Sequence, residues 1–336
     1  MNELELQKVL HEKYIVNGKS ADTIADRDAW EAVRNTCEKM RKHFTEHEHI
    51  MISVSGGSDS DCIIHLVCTY FQEFLDKCYF VFVDTGLEYK ATRRHIVEIA
   101  SKYGITINKI RGKSVVYSCK KYGFPILNKV KAHYIDMWRR RTPKGHYLVF
   151  EADDPRLHFR FTEAERNLAR YLDDNGINVS AMCCDISKKK PLKEFKKTHS
   201  VDLSVTGERK AEGGPRAIVH TSCFEQNKDG DKYMPLFWWS DDVKAAFKLN
   251  EGIRYSDCYE VWGMKRTGCV GCPFGKNTAE ELKLMYEYEP ELYIACMNVF
   301  GQAYELTDRF NCRRKKCLPD FLQMTLTGEI ERSESD

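Results

Sequence analysis

The sequence predicts an α/β protein: a parallel twisted sheet with helices on both faces, followed by a helical, cysteine-rich C-terminal part. Two observations predict the sheet. Short apolar runs, Ile50–Val54, Tyr79–Val83 and Ile105–Ile110, alternate with longer stretches of helical periodicity. The connections between them are short, as strand–helix–strand units covered on both faces require. A third observation, the concentration of cysteine and aromatic residues after about residue 235, sets the C-terminal part apart.

The elements follow in order. Residues 1–48 read as polar and mostly helical, with Asp28-Ala29-Trp30-Glu31 opening a periodic stretch that runs to about Phe44. Ile50-Met51-Ile52-Ser53-Val54 is a buried strand, and a glycine turn follows it. A helix from about Asp59 to Leu75 presents Ile63, Leu66, Val67 and Tyr70 on one face. Tyr79–Val83 is the second strand, Tyr89–Tyr103 a second helix ended by Gly104, and Ile105–Ile110 the third strand. Residues 127–180 depart from the pattern and read as helices with a long connection. Val201–Val205 resumes the strands, and helices are expected around 278–308. Three segments result: an N-terminal helical segment (1–48), an α/β domain (49–235, with a helical insertion at 127–180) and a cysteine-containing helical region (236–336). In parallel sheets ligands sit at the carboxyl ends of the strands, so the loops after Val54, Val83 and Ile110 are expected to share one crevice.

Composition narrows the function classes. A length of 336 residues suits one large or two smaller domains. The net charge of +2 exerts no global pull toward nucleic acid or an anionic membrane. No apolar run reaches the roughly 18 residues of a membrane span, and the N-terminus lacks a signal-peptide pattern, so a cytoplasmic protein with no membrane partner is expected. Fourteen cysteines in such a chain predict metal binding or thiol chemistry rather than a disulfide scaffold. Cys62, Cys68 and Cys78 lie in apolar stretches and read as core fillers. No Ser-His-Asp order or zinc-protease motif occurs, and the histidines lack ligand spacing.

The glycine turn carries the strongest chemical signal. Ser55-Gly56-Gly57-Ser58-Asp59-Ser60 joins a strand to a helix. Its glycines allow a tight turn and close approach of a ligand, and the helix start offers N–H groups and a partial positive charge to an anion. It is not a Walker A loop, because no Gly-Lys-Ser/Thr closes it. The bland alternative is a capped turn. One unit later Asp84-Thr85-Gly86-Leu87-Glu88 ends the second strand. There Asp84 can accept from a ribose or hold Mg²⁺ through oxygen, or Asp84 and Thr85 can simply cap the next helix.

Together these elements resemble the phosphoadenosine phosphosulfate (PAPS) reductase branch of the ATP-pyrophosphatase enzymes. Ser-Gly-Gly-x-Asp-Ser is the family's nucleotide loop, although its usual fourth residue is Lys where this chain has Ser58. Asp-Thr-Gly-x-Glu is the branch's second element. Arg111-Gly112-Lys113, Tyr122-Gly123-Phe124-Pro125, Thr206-Gly207-Glu208-Arg209 with Arg216, and Pro235-Leu236 with Trp238 or Trp239 and Asp242-Val243 continue the match in order. The resemblance implies an adenine nucleotide alpha hydrolase-like fold. It implies ATP or PAPS held by Ser55, Gly56, Gly57, Ser58, Asp59 and Ser60, with Asp84, Thr85, Gly86, Arg111 and Gly207, and ribose or Mg²⁺ at Asp84. Asp59, Arg209 and Arg216 are the implied catalytic residues, the two arginines because a guanidinium can pair bidentately with phosphate or sulfate.

Cys183-Cys184 ahead of a lysine run and Pro191-Leu192, with a distant Cys269-Val270-Gly271-Cys272, resembles the cluster-bearing adenylylsulfate reductases. That resemblance implies a [4Fe-4S] cluster on Cys183, Cys184, Cys269 and Cys272; zinc takes the same four thiolates and stays open, as does a vestigial set of reduced thiols without metal. Related enzymes of DNA sulfur modification bring Cys258 forward as an alternative to one of the earlier pair, and Cys223 is a further candidate. The Glu-Cys-Gly-x-His run of the sulfonucleotide reductases does not occur in these 336 residues. The expected function is therefore a PAPS reductase-like enzyme doing sulfur-related or adenylyl-transfer chemistry. The alternatives are a nucleic-acid sulfur-modifying ATP pyrophosphatase and a non-catalytic nucleotide-sensing subunit of a mobile-element or defence complex. The basic runs Arg139-Arg140-Arg141, Lys188-Lys189-Lys190, Lys196-Lys197 and Arg313-Arg314-Lys315-Lys316 are candidate phosphate contacts, though a solvated face is their usual meaning. A homo-oligomer, or a subunit with a nucleic-acid or protein partner, is the expected assembly.

Overall fold

A computed structural model describes residues 1–20, 23–152, 160–213 and 220–320. The chain forms two compact units, each drawn from separate stretches. The first comprises Met1–Val83, Ala91–Ile110 and Leu192–Arg266; the second comprises Asp84–Lys90, Arg111–Pro191 and Thr267–Asp336. The segments expected from composition follow the chain, whereas these packing units interleave along it.

The first unit is built on six strands: β1 (Ile50–Val54), β2 (Cys78–Val83), β3 (Ile107–Ile110), β4 (Leu203–Val205), β5 (Phe224–Glu225) and β6 (Asp231–Tyr233). They lie in the order β3-β2-β1-β4-β6-β5, parallel except for β5 against β6. The alternation of side chains sorts the strands' residues to two faces. Ile50, Ile52 and Val54 of β1, Phe80 and Phe82 of β2, and Leu203 and Val205 of β4 enter one core with the helices Thr23–Glu46 and Ser58–Tyr70. Met51 and Val81 point to the other face, where Phe195 of the helix Lys190–Thr198 and Val201 cover them. The expected α/β class is thus present, with apolar cover on both sides.

Several element boundaries differ from the sequence expectation. The helix after the glycine turn ends at Tyr70 instead of reaching Leu75, and a 3-10 turn Gln72–Lys77 follows. Phe71 leaves the helical conformation at φ −132° and ψ 35°, and its fully buried ring packs 6.0 Å from that of Phe44. The gain from burying that aromatic overrides local helix propensity. The third strand starts at Ile107 instead of Ile105. Strands β5 and β6 are too short to give a periodic signal and were not expected. Cys62 and Cys68 are core residues as expected, and Cys78 packs half-buried against the same core.

The second unit is helical. Helices Lys129–Arg139 and Glu163–Asp174 of the 127–180 region pack with Pro290–Arg309 around Ile135, Leu168, Leu172, Ala303 and Leu306. Thr162 opens the helix Glu163–Asp174 with a capping box: its hydroxyl accepts from the Glu165 N–H, and the Glu165 carboxylate accepts from the Thr162 N–H. Glu165 also takes the Lys131 ammonium at 2.6 Å in a nearly buried ion pair. Among the described residues, no helix is long and apolar enough to cross a membrane.

Candidate functional site

The loop 55–60 leaves the carboxyl end of β1 and enters the helix Ser58–Tyr70 in the first unit. Gly56 stands at φ +64°, and a Cβ there would meet Thr92 Cγ2 at 2.6 Å. Only glycine fits this position. The serine hydroxyls shape the loop from within. Ser55 Oγ accepts from the Gly57 N–H at 3.2 Å, and Ser60 Oγ accepts from the Ser55 N–H at 3.3 Å while donating to the Gly57 carbonyl at 3.0 Å. Gly57 occupies the N-cap with no side-chain cap, so the first-turn N–H groups face an uncapped helix start.

Strand β4 pairs directly with β1, Ile52 opposite Val205, so the loop after β4 lies beside the glycine loop. Gly207 makes this possible: a Cβ there would stand 3.1 Å from Asp59 Cβ and 3.2 Å from the Ser60 nitrogen. Arg209 is 5% exposed and donates to Asp59 Oδ1 at 2.8 Å, to Asp241 Oδ1 at 2.8 Å and to the Trp239 carbonyl at 3.2 Å. Burial works against its charge, but Asp59 and Asp241 more than offset this and hold it firmly protonated. Its fork braces the loop from beneath. Arg216 lies outside the described residues.

Lys244, which the sequence did not single out, completes the cluster. Its Nζ donates to Ser58 Oγ at 2.9 Å and to Asp59 Oδ1 at 3.0 Å from one turn inside the helix Asp241–Glu251. Ser240 caps that helix by accepting from the Val243 N–H. Trp239 is structural: its indole N–H donates to Thr36 Oγ1 at 3.0 Å in the core.

In the second unit Asp84 turns back on its own loop, Oδ1 accepting from the Gly86 N–H at 2.9 Å. Thr85 Oγ1 donates to Glu88 Oε1 at 2.6 Å, and the Thr85 carbonyl accepts from the Val115 N–H at 3.0 Å. The following helix starts at Lys90, whose N–H is taken by Glu289 Oε2 at 2.9 Å. Arg111 lies against this turn: a Cβ on Gly86 would come 3.3 Å from its Nη2.

Cys183, Cys184, Cys269 and Cys272 line one cavity of the second unit, together with Val270 and Phe300. Cys258 and Cys223 belong to the first unit. Cys183 shares a hydrogen bond with Cys184 and is pushed up, while the same bond, aided by Lys129 and Lys188, pulls Cys184 down despite burial. Lys188 is itself lowered by burial, but Cys269 and Glu88 outweigh this and raise it. Arg313 donates to the carbonyls of Gly275 at 2.7 Å, Pro273 at 2.5 Å and Leu127, and Tyr304 donates to that of Gly271, so the Cys-x-x-Cys turn is pinned from two sides. Four soft sulfur donors around one largely apolar cavity fit a thiophilic metal or cluster in chemistry. Among the described residues, however, no three His, Cys, Asp or Glu side chains close at metal-ligand distance.

Several residues of the basic runs pair with carboxylates of this chain while their side chains stay largely exposed. Arg139 and Arg141 pair with Asp173, Arg140 with Asp136, and Lys189 with Asp185.

Similarity to a known family spans the loop. The phosphoadenosine phosphosulfate reductase domain family matches residues 49–137 and 151–275. An uncharacterised protein of Methanocaldococcus jannaschii is 27% identical over 285 residues, 83% of this chain and 46% of its own length. The adenosine 5'-phosphosulfate reductase of Neisseria meningitidis (serogroup A) is 24% identical over 131 residues, 37% of this chain and 52% of its own. The chain thus spans about half the length of the curated relatives it matches. Among solved structures, the phosphoadenylyl-sulfate reductase of Candida auris aligns with a TM-score of 0.43 at 15% identity, covering 70% of this chain and 87% of that one.

Proposed function

The chain belongs to the phosphoadenosine phosphosulfate reductase domain family, and from that premise we propose that it binds ATP or a sulfonucleotide on the loop Ser55–Ser60 and activates it for transfer. The observation that carries this reading is the uncapped helix start at Gly57, with the turn made by Gly56 at φ +64° and the neighbouring loop packed in at Gly207. Phosphate oxygens are the natural partner for such N–H groups. Asp59 is assigned to organising the cations of the loop. Arg209 is assigned to holding Asp59 in place, a positioning role. Asp84 keeps the role that the family resemblance implies, contact with ribose or with Mg²⁺, and Thr85, Gly86 and Arg111 keep their implied part in holding the nucleotide. Arg216 keeps its implied place as a charge stabiliser on the same ground.

Two reactions suit this equipment. ATP can adenylate a substrate oxygen with loss of pyrophosphate, or a thiolate can attack the sulfur of a sulfonucleotide with loss of the adenosine phosphate. Cys183, Cys184, Cys269 and Cys272 are proposed to hold a [4Fe-4S] cluster, which would serve as a structural element, an electrostatic aid or a sulfur carrier when bound. The support is their shared cavity and the pinned Cys-x-x-Cys turn. The test uses full-length chain purified without oxygen. Iron and acid-labile sulfide are counted in the wild type and Cys269→Ser, and the protein is assayed for pyrophosphate release from ATP and sulfite release from PAPS with a thiol reductant. About four irons and four sulfides, lost in the variant, with turnover of one nucleotide, are expected. Zinc or no metal would remove the cluster from the reading. Absence of both turnovers would remove the enzyme.

A further inference from the structure

Ser58 removes the lysine that Ser-Gly-Gly-x-Asp-Ser loops usually carry at this position, and the fold returns a cation to the same place. Resting on the proposed nucleotide reading, we infer that Lys244 is the phosphate-binding cation of this loop, supplied from the helix Asp241–Glu251 instead of from the loop itself. Lys244 Nζ sits 2.9 Å from Ser58 Oγ, so the ammonium occupies the surroundings of the side chain it replaces. Its second contact is Asp59 Oδ1 at 3.0 Å. An ammonium has three donors. Ser58 and Asp59 are its two hydrogen-bond acceptors among the described residues, which leaves one N–H for a phosphate oxygen without breaking either contact.

The neighbouring cation cannot fill this role as cheaply. Arg209 already gives its donors to Asp59, Asp241 and the Trp239 carbonyl, and it is more deeply buried than Lys244, whose side chain is 16% exposed against 6%. Lys244 also rides on a flexible stem of four methylenes and can follow a phosphate by a small torsion change, which a braced guanidinium cannot. Small Ser58 leaves the room that a lysine at that position would fill. The pair Ser58 and Lys244 therefore reads as a relocated charge.

The experiment compares nucleotide affinity by titration calorimetry on the full chain, using whichever of ATP with Mg²⁺ and PAPS the wild type binds more tightly. The proteins are the wild type, Lys244→Met, Lys244→Gln and the double variant Ser58→Lys/Lys244→Met, each checked by its melting curve. Lys244→Met keeps the stem and removes the charge. A loss of about tenfold in affinity, the scale of one charge-assisted hydrogen bond, is expected in both single variants. The double variant, which puts the lysine back where related loops carry it, should recover most of that loss. Affinity within twofold of wild type in folded Lys244→Met or Lys244→Gln overturns the inference and leaves the nucleotide reading standing. A double variant no tighter than Lys244→Met also overturns it, because Lys244 would then act only by holding Asp59. A wild type that binds neither nucleotide removes the nucleotide reading, and this inference with it.

Discussion

Gly56 and Glu251 carry two separable tests at the scale of single residues. Gly56→Ala forces a Cβ into φ +64° and to 2.6 Å from Thr92 Cγ2. It should cost about 1–3 kcal/mol of stability by chemical denaturation and abolish detectable nucleotide binding, because the loop must move to relieve the clash. Glu251 has no exposed side-chain surface and accepts from Lys13, Tyr14, His65 and Tyr70 at 2.7–2.8 Å. Burial alone would raise its carboxyl, but His65, Lys13 and Tyr14 hold it down at about 2, from an ordinary 4.5. A depressed carboxylate stabilises the fold above its unfolded value and loses that contribution as pH falls through the folded value. The wild type should therefore lose about 3 kcal/mol between pH 4.5 and pH 2 through this group. Glu251→Gln should be less stable at neutral pH and flatter across that window, as denaturation midpoints against pH would record. The same scale marks the limit of sequence reading. Ser55–Ser60 was legible because strand, glycines and helix start are contiguous. Lys244 was not, because it lies 186 residues from Ser58 and joins it only through folding. Its one sequence trace, a lysine just after Asp242-Val243 in a chain lacking the loop lysine, acquires meaning once the helix is seen to point at the loop.

Among the elements, two short segments set the chemistry. The helix Asp241–Glu251 delivers Lys244, and its start depends on the Ser240 cap. Ser240→Ala should cost about 1 kcal/mol and weaken nucleotide binding modestly, with the two losses measured by melting and by titration. The Cys-x-x-Cys turn depends on Arg313, whose guanidinium takes the carbonyls of Leu127, Pro273 and Gly275. Arg313→Ala should cost about 1.5–3 kcal/mol and speed alkylation of Cys272 in oxygen-free buffer, since hydrogen bonds from a charged donor are lost and the turn is freed. A labelling rate unchanged from wild type would mean that Tyr304 alone holds the turn. The sequence marked the run 313–316 as a basic patch and as a pull toward thiolate on Cys312 and Cys317, whereas burial pushes both thiols up. Its structural role was hidden because carbonyl acceptors leave no compositional trace. The strands show the complementary case: β1 and β2 were readable from their apolar runs, while β5 and β6, with two and three residues, fall below any periodic signal.

For the whole molecule, the α/β class follows from alternation of strand and helix, and the structure bears it out with apolar cover on both sheet faces. The interleaved units were not legible, because they arise from which helices share a core: the 127–180 region joins Ala303 and Leu306 of the C-terminal helix. The central claim is that the loop Ser55–Ser60 holds an adenine nucleotide. The most direct test is equilibrium binding of ATP, adenylylsulfate and PAPS to oxygen-free full-length chain, wild type against Gly56→Ala. The account predicts saturable binding of at least one of the three at a single site in the wild type, lost in the variant. No saturable binding of any of them, or equal binding by the variant, would contradict it.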